Sequence, residues 1–209
     1  MAVAVAPDLE DRSADEVLEF VAGRFHPRLY VACSFQKESS AIMDILLRFQ
    51  PEARFFTIDN GVLFEETYAT KRALEERYGI EIDVFDASSP DGRPLTAEDC
   101  CGDNKVTAFQ RAVGGVDAWV SGLRRDQSPT RADAQKLHWD ERHGLWKANP
   151  LADWSEADVW RYIVEHDVPY NPLHDRGYDS IGCTLCTQPG RGREGRWAGT
   201  DRVECGLHG

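Results

Sequence analysis

Apolar residues recur at helical spacing near the start of the chain. Ala14, Val17, Leu18, Val21 and Phe25 follow Ser13-Ala-Asp-Glu16, which has the form of a capping box, and together they predict an amphipathic helix. The run Arg28 to Cys33 is a buried strand, and Ser34 to Ser39 a polar turn that ends it. Ile42, Ile45, Leu46 and Phe49 mark a second helix stopped by Pro51. Ala53 to Ile58 forms the next strand, with Asp59-Asn60-Gly61 turning after it. Glu65 to Tyr78 is helical and closed by Gly79, and Ile80 to Phe85 is a third strand. After a polar loop from Ser88 to Glu98, Lys105 to Val113 predicts a helix and Ala118 to Ser121 a short strand. His138 to Trp139 and Leu145 to Lys147 suit a hairpin across Glu141 to Gly144. Ser155 opens another helix, with Ala157, Trp160, Ile163 and Val164 expected to face inward. From Asp167 onward prolines and glycines predict an irregular, tied-down C-terminal region. Strands alternating with helices predict an α/β fold, a parallel sheet covered by helices on both faces.

Composition narrows the setting. The 209 residues suffice for one sizeable core, and a hydrophobic share of 42% is that of a chain that folds. There is no internal repeat or clear domain boundary, so residues 1–209 are expected to form a single domain. No apolar run approaches the roughly 18 residues a membrane span needs, and Met1 to Pro7 lack the features of a signal peptide. A cytoplasmic location is expected, where cysteines stay reduced and serve metals or catalysis. A net charge of −12 argues against a nucleic-acid partner, which demands a basic surface. Against that acidity Arg124, Arg125 and Arg131 fall in one segment, and Arg191, Arg193 and Arg196 in another. Cations gathered in two loops of an acidic chain suggest a small anionic ligand.

The six cysteines carry the most chemistry. Cys100 and Cys101 are adjacent, and Cys183 and Cys186 frame Thr184 and Leu185. Two distant pairs provide four thiolates, the ligand set of an iron–sulfur cluster or a structural zinc. Neighbouring cysteines suit the separate corners of a four-iron cube better than a single zinc ion, for which paired Cys-x-x-Cys knuckles are usual. Cys33 lies in a strand and reads as a small buried thiol, whereas Cys205, close to the last residue, is a candidate nucleophile. Lys105 follows Cys101 by one helical turn, which puts its charge near the metal. Ser34 and Phe35 follow the first strand and Asp59 to Gly61 the second. Loops at the carboxyl ends of parallel strands are where such sheets bind nucleotides. His166 and His174 read as structural or exposed.

Cys100-Cys-Gly-Asp-Asn-Lys105, Gly122-Leu-Arg-Arg-Asp-Gln-Ser-Pro-Thr-Arg131, Ser180-Ile-Gly-Cys-Thr-Leu-Cys186 and Glu204-Cys-Gly-Leu-His208 together closely resemble the assimilatory, thioredoxin-dependent adenylyl-sulfate reductases. Thr57 to Gly61, Asn149-Pro-Leu151 and Arg193-Glu-Gly-Arg-Trp197 add to the likeness, which covers nearly the whole chain beyond the first helix. The resemblance implies an adenine-nucleotide α-hydrolase-like fold, related to ATP pyrophosphatases. It implies a [4Fe-4S] cluster on Cys100, Cys101, Cys183 and Cys186, and Cys205 as nucleophile. Substrate contacts are implied from Lys105, Arg131, Arg193, Arg196 and His208. In two places the chain departs from relatives. Ser34-Phe-Gln-Lys-Glu-Ser39 replaces a glycine-bearing loop, and the segment between Cys186 and Arg193 is short, which bears on the reach of both arginines.

The expected reaction reduces adenylyl sulfate to sulfite and AMP in sulfate assimilation, through an S-sulfocysteine at Cys205 that thioredoxin or a similar dithiol protein resolves. Residues 187–209 would form an arm and mobile tail bearing that cysteine. Activating the thiol gains little: moving a thiol from pKa ~8.5 to ~6.5 multiplies thiolate about 25-fold at pH 7, but falling nucleophilicity leaves about threefold. Positive charge is therefore expected to act on the sulfate and the leaving phosphate. Rival expectations are a phosphoadenylyl-sulfate reductase or dual specificity, a zinc-stabilised ATP pyrophosphatase acting on tRNA, and a non-catalytic metal module. The oligomeric state, homo-oligomer included, is left open.

Overall fold

The computed structural model describes residues 7–197 together with Glu204, Cys205 and Leu207. Helix α1 (Ala14–Phe25) starts at the capping box: the Ser13 hydroxyl accepts from the Glu16 N–H at 3.2 Å, and the Glu16 carboxylate accepts from the Ser13 N–H at 2.8 Å. Its apolar stripe, Ala14, Val17, Leu18, Val21 and Phe25, is buried as the spacing requires. Strand β1 (Leu29–Ala32) follows, then α2 (Lys37–Leu47), β2 (Arg54–Asp59), α3 (Glu65–Tyr78) and β3 (Ile82–Asp86). Helix α3 ends where Gly79 adopts the left-handed conformation, φ 64°, that glycine takes without a Cβ penalty. Helix α4 (Asp103–Val113), β4 (Ala118–Val120), the hairpin β5 (Leu137–Asp140) and β6 (Leu145–Ala148), and α5 (Glu156–Glu165) complete the regular elements. Single turns of 3-10 helix lie at Arg125–Gln127, Pro129–Arg131 and His174–Arg176.

The six strands form one sheet in the order β3-β2-β1-β4-β6-β5. β1 and β4 pair in parallel, as do β4 and β6, while β5 runs antiparallel to β6 at one edge. All three residues of β4 are buried, as expected of a strand covered on both faces. The expectation of a mainly parallel α/β sheet is met, with the hairpin supplying the antiparallel edge.

Two compact units are distinguishable. The first holds the described residues up to Cys33, Lys37–Phe55 and Gly115–Pro169; the second holds Ser34–Gln36, Phe56–Gly114 and the described residues from Tyr170. In the second, Phe56 of β2 packs at 5.9 Å from Phe85 and 6.0 Å from Phe109 of α4. In the first, α2 and α5 pack together, and the Tyr162 hydroxyl donates to Asp44 at 2.5 Å.

Three sequence expectations need correction. The supposed turn over Ser34 to Ser39 is a turn only to Gln36; Lys37, Glu38 and Ser39 begin α2 and are buried. Their polarity misled because the charges are neutralised internally. Lys37 Nζ lies 3.2 Å from Glu156 and 3.8 Å from Glu38, and Glu38 accepts from Arg124 Nε and Nη2 at 3.1 Å. Arg124 and Arg125 therefore do not form an exposed anion site. Arg124 is buried against Glu38 and Asp126, and Arg125 pairs with Glu10. In α5 the inward residues are Val159 and Ile163, with Trp160 half-buried; Ala157 is exposed and Val164 is 74% exposed. Ala157 and Val164 lie seven residues apart, two turns along the opposite face.

Gly122 makes room for the Glu38–Arg124 pair, since a Cβ there would stand 2.9 Å from the Glu38 Cβ. Replacing Glu38 with alanine takes the partner from Nε and Nη2 of the Arg124 guanidinium, which is 4% exposed and keeps Asp126, and should cost about 1–3 kcal/mol in urea unfolding. Gly122→Ala should cost about 1–3 kcal/mol through overpacking. An unchanged unfolding midpoint for Glu38→Ala would refute the importance of the pair.

Candidate active site and metal centre

Both cysteine pairs sit on irregular backbone in the second unit, anchored by the loop that follows β2. Cys100 and Cys101 lie in tight turns rather than on a helix, so adjacent side chains are not forced the ~100° apart that helical geometry dictates. The Cys100 N–H donates to Thr96 O at 3.0 Å, and α4 begins only after Gly102. Asn60 donates its side-chain amide to the Cys100 carbonyl at 3.1 Å. Three residues on, Leu63 bridges to Cys183, and the Thr184 N–H donates to Val62 O at 2.9 Å. One short loop thus ties down both pairs.

The four side chains are buried in one cluster with Trp197. Cys186 Sγ lies 3.5 Å from Cys100 Sγ and 3.5 Å from Cys183 Sγ, and these three sulfurs fall within 4.8 Å of one another. Mutual hydrogen bonding divides the protons unevenly. Donation from Cys100 and Cys186 pulls Cys101 far down, with help from the charge of Lys105 and from the Trp197 indole. Cys183 is pulled to about 3, again by Cys100 and then Cys186. Cys100 is pushed up because it donates to its three neighbours and is buried. For Cys186 the hydrogen bond with Cys100 acts downward, but donation to Cys101 and Cys183 and burial outweigh it and push it up. Metals bind thiolates, and buried anions need a cation. A desolvated all-sulfur set without histidine or carboxylate is the donor chemistry of zinc and iron–sulfur groups, so these residues fit such a group.

Lys105, half-buried on α4, is near enough for its charge to act on Cys101. The arginine segment returns to the same place despite its shortness. Thr187 bridges to Arg196, the Gln188 N–H donates to Gly195 O at 2.8 Å, and the Trp197 N–H donates to Cys186 O at 2.8 Å. This fold-back demands glycine at 195, where a Cβ would come within 2.0 Å of Gln188 O. Arg196 Nη1 donates to Ser180 Oγ at 3.3 Å and Ile181 O at 3.2 Å, and Arg193 Nη2 pairs with Glu204 at 3.0 Å. Next to Glu204, Cys205 is half-buried and packs against the cysteine cluster. His208 lies outside the described residues.

Of the expected nucleotide-loop residues, Ser34 is exposed and Phe35 is buried with a left-handed φ of 57°. Asp59 accepts from the Gly61 N–H at 2.7 Å and from the Tyr68 hydroxyl at 2.9 Å. Burial and then Asp59 raise Tyr68 to about 12. Gly61 needs its glycine for a φ of 74°. Ser34, Phe35, Asp59, Gly61, Lys105, Arg193, Arg196 and Cys205 all belong to the second unit; Arg131 belongs to the first. There Arg131 is buried and donates to Gln127, which donates to Glu38 at 3.3 Å. Cys33 is a buried thiol pushed up by desolvation. His174 Nδ1 donates to Tyr178 O at 2.7 Å, and His166 stacks on Tyr162. Asn60 and Trp197 were not singled out from the sequence. Asn60 looked like plain turn chemistry, and Trp197 was only one letter of a basic motif.

The phosphoadenosine phosphosulfate reductase domain family matches residues 28–189. An adenosine 5'-phosphosulfate reductase from Bacillus pumilus (strain SAFR-032) is 41% identical over 94% of this chain and 91% of its own length. A phosphoadenylyl-sulfate reductase structure from Candida auris superposes with a TM-score of 0.74 at 28% identity, covering 90% of this chain and all of that one. A Candida glabrata FMN adenylyltransferase shares the fold, with a TM-score of 0.64 at 16% identity over 89% of this chain and 68% of its own. The fold is that of the adenine-nucleotide α-hydrolase-like proteins. This chain belongs to the phosphoadenosine phosphosulfate reductase family of oxidoreductases. Among the described residues, no helix is long and apolar enough to cross a membrane.

Cys183→Ser and Cys101→Ser should each abolish stoichiometric metal retention while Cys33→Ser retains it, measured by elemental analysis of oxygen-free preparations. Full metal content in Cys183→Ser would rule out the quartet as its ligands.

Proposed function

We propose that the chain reduces adenylyl sulfate to sulfite and AMP in sulfate assimilation, with Cys205 as nucleophile and a dithiol protein of the thioredoxin type as reductant. The observation that carries this reading is the buried four-sulfur cluster in a chain 41% identical to a named adenosine 5'-phosphosulfate reductase. The Cys205 thiolate attacks the sulfate sulfur, the bond from that sulfur to the bridging phosphate oxygen breaks, and AMP leaves with the electron pair. The resulting S-sulfocysteine is attacked at the Cys205 sulfur by a partner thiolate, and sulfite departs with the S–S electron pair. The partner's second thiol then resolves the mixed disulfide and restores Cys205. Two electrons and two protons come from the dithiol, so no one-electron donor is needed.

Cationic side chains do most of the work. Lys105, Arg193 and Arg196 stabilise the sulfate oxygens and the leaving phosphate, where fixed charge in a dry site acts most strongly. Arg131 serves the ribose or α-phosphate, His208 the substrate anion, and Ser34, Phe35, Asp59 and Gly61 the adenosine. Cys100, Cys101, Cys183 and Cys186 would hold a [4Fe-4S] cluster, whose charge beside Lys105 would tune the field at the sulfate rather than supply electrons. We assign the reaction to the cytoplasm, in keeping with six free cysteines. Residues 187–209 act as the arm that carries Cys205 from substrate to partner.

A second reading, reduction of the 3'-phosphorylated nucleotide, has the Candida auris likeness in its favour. The four cluster cysteines weigh against it, since enzymes restricted to that substrate typically lack them.

Incubating oxygen-free protein with adenylyl sulfate and no reductant should place a sulfonate on Cys205, read by peptide mass spectrometry. Cys205→Ser should lose sulfite release by more than about a thousandfold while keeping its iron. An unmodified Cys205 after incubation would refute the reading, and turnover with both nucleotides compares the two substrates.

A further inference from the structure

Among the described residues, Trp197 is the side chain that belongs both to the cysteine cluster and to the arginine segment. It is 3% exposed and packed among Cys100, Cys101, Cys183 and Cys186. Its backbone N–H donates to Cys186 O, and its φ is 54°. A bulky residue is held in that left-handed region only where the surroundings over-determine it. The ring centroid lies 5.1 Å from the Arg193 guanidinium carbon and 4.6 Å from that of Arg196. Both distances fall inside the ~6 Å reach of a cation–π contact, which strengthens when desolvated.

Arg196 is further confined by Gly182, where a Cβ would stand 2.6 Å from Nη2 and 2.7 Å from the guanidinium carbon. Its Nε is buried and meets no hydrogen-bond acceptor among the described residues. Arg196 Nη1 already donates to Ser180 Oγ and Ile181 O, and Arg193 Nη2 to Glu204, so the buried Arg196 Nε is the donor this arrangement leaves for an oxyanion, which binds in the guanidinium plane.

We infer that Trp197 is a positioning residue, an aromatic platform that orients Arg193 and Arg196 toward the oxygens of the anionic substrate and fixes them to the cysteine centre. This rests on the functional reading above, in which those arginines meet adenylyl sulfate. It also explains why a large aromatic ring is packed among cysteines rather than among aliphatic side chains: the same ring that closes the cysteine cluster orders the cations.

The test measures equilibrium binding of adenylyl sulfate to oxygen-free protein carrying Cys205→Ala, so that substrate binds without turnover, with iron content recorded for every variant. Site-specific mono-, di- and trifluorotryptophan at 197 nearly preserves shape while draining the ring's negative face. Affinity should fall stepwise, by about tenfold at the most fluorinated ring, at constant iron. The series should flatten when Arg193→Ala and Arg196→Ala are both present, which a merely structural ring would not do. Trp197→Leu should weaken binding about tenfold or more; if it also sheds iron, the isosteric series decides. Binding that is flat across the series in protein that otherwise binds adenylyl sulfate overturns the platform and leaves the functional reading standing. A Cys205→Ala protein that does not bind adenylyl sulfate overturns both.

Discussion

Four thiols buried side by side are an unfavourable arrangement unless something holds the backbone against their mutual repulsion once they ionise. The clamp is the short loop after β2, where Asn60 grips the Cys100 carbonyl and Val62 and Leu63 hold Cys183 and Thr184. Residues about eighty positions apart are brought together by main-chain and amide hydrogen bonds, not by the sulfurs themselves. The centre is therefore organised by the loop that leaves β2, although its ligands sit on turns. Satisfied polar contacts in a dry pocket are the means by which irregular backbone can be made definite.

Charge is handled in two ways. Around α2, the buried Lys37 and Arg124 are neutralised by Glu38 between them and by Glu156 and Asp126 beyond. Such pairs contribute little net stability over apolar packing but are expensive to break singly. In the segment after Cys186, Arg193 and Arg196 lean on an aromatic face, with Arg193 also paired to Glu204. Mutual neutralisation yields a fixed scaffold, while the ring orders Arg196 through contacts that leave its charge in place; Arg193 keeps a carboxylate partner as well.

Much of the fold was legible in the sequence because local signals agreed with the global arrangement. Ser13 with Glu16, Gly79 after α3, and the hairpin turn before β6 each named an element boundary within a residue or two. The start of α2 was not legible: Lys37 and Glu38 look like turn residues until the partners that desolvate them, Arg124 and Glu156, are known. The inward face of α5 was misjudged because Val164 is apolar yet exposed. In the site, cysteine spacing pointed to the four side chains that are buried in one cluster, since few tasks require adjacent cysteines. The arginine loop around Arg124 misled, because a basic motif does not reveal which of its charges are already answered within the molecule. Trp197 escaped notice for a related reason: its importance lies in what touches it, and contacts between segments leave no periodicity.

Close approach of the Gly122 backbone to Glu38 has an evolutionary corollary. Change at either position alone carries a cost: a side chain at 122 displaces Glu38, and a shorter residue at 38 takes one of two carboxylates from a buried guanidinium. Replacement at one site is therefore eased by replacement at the other, and the two should vary as a linked couple.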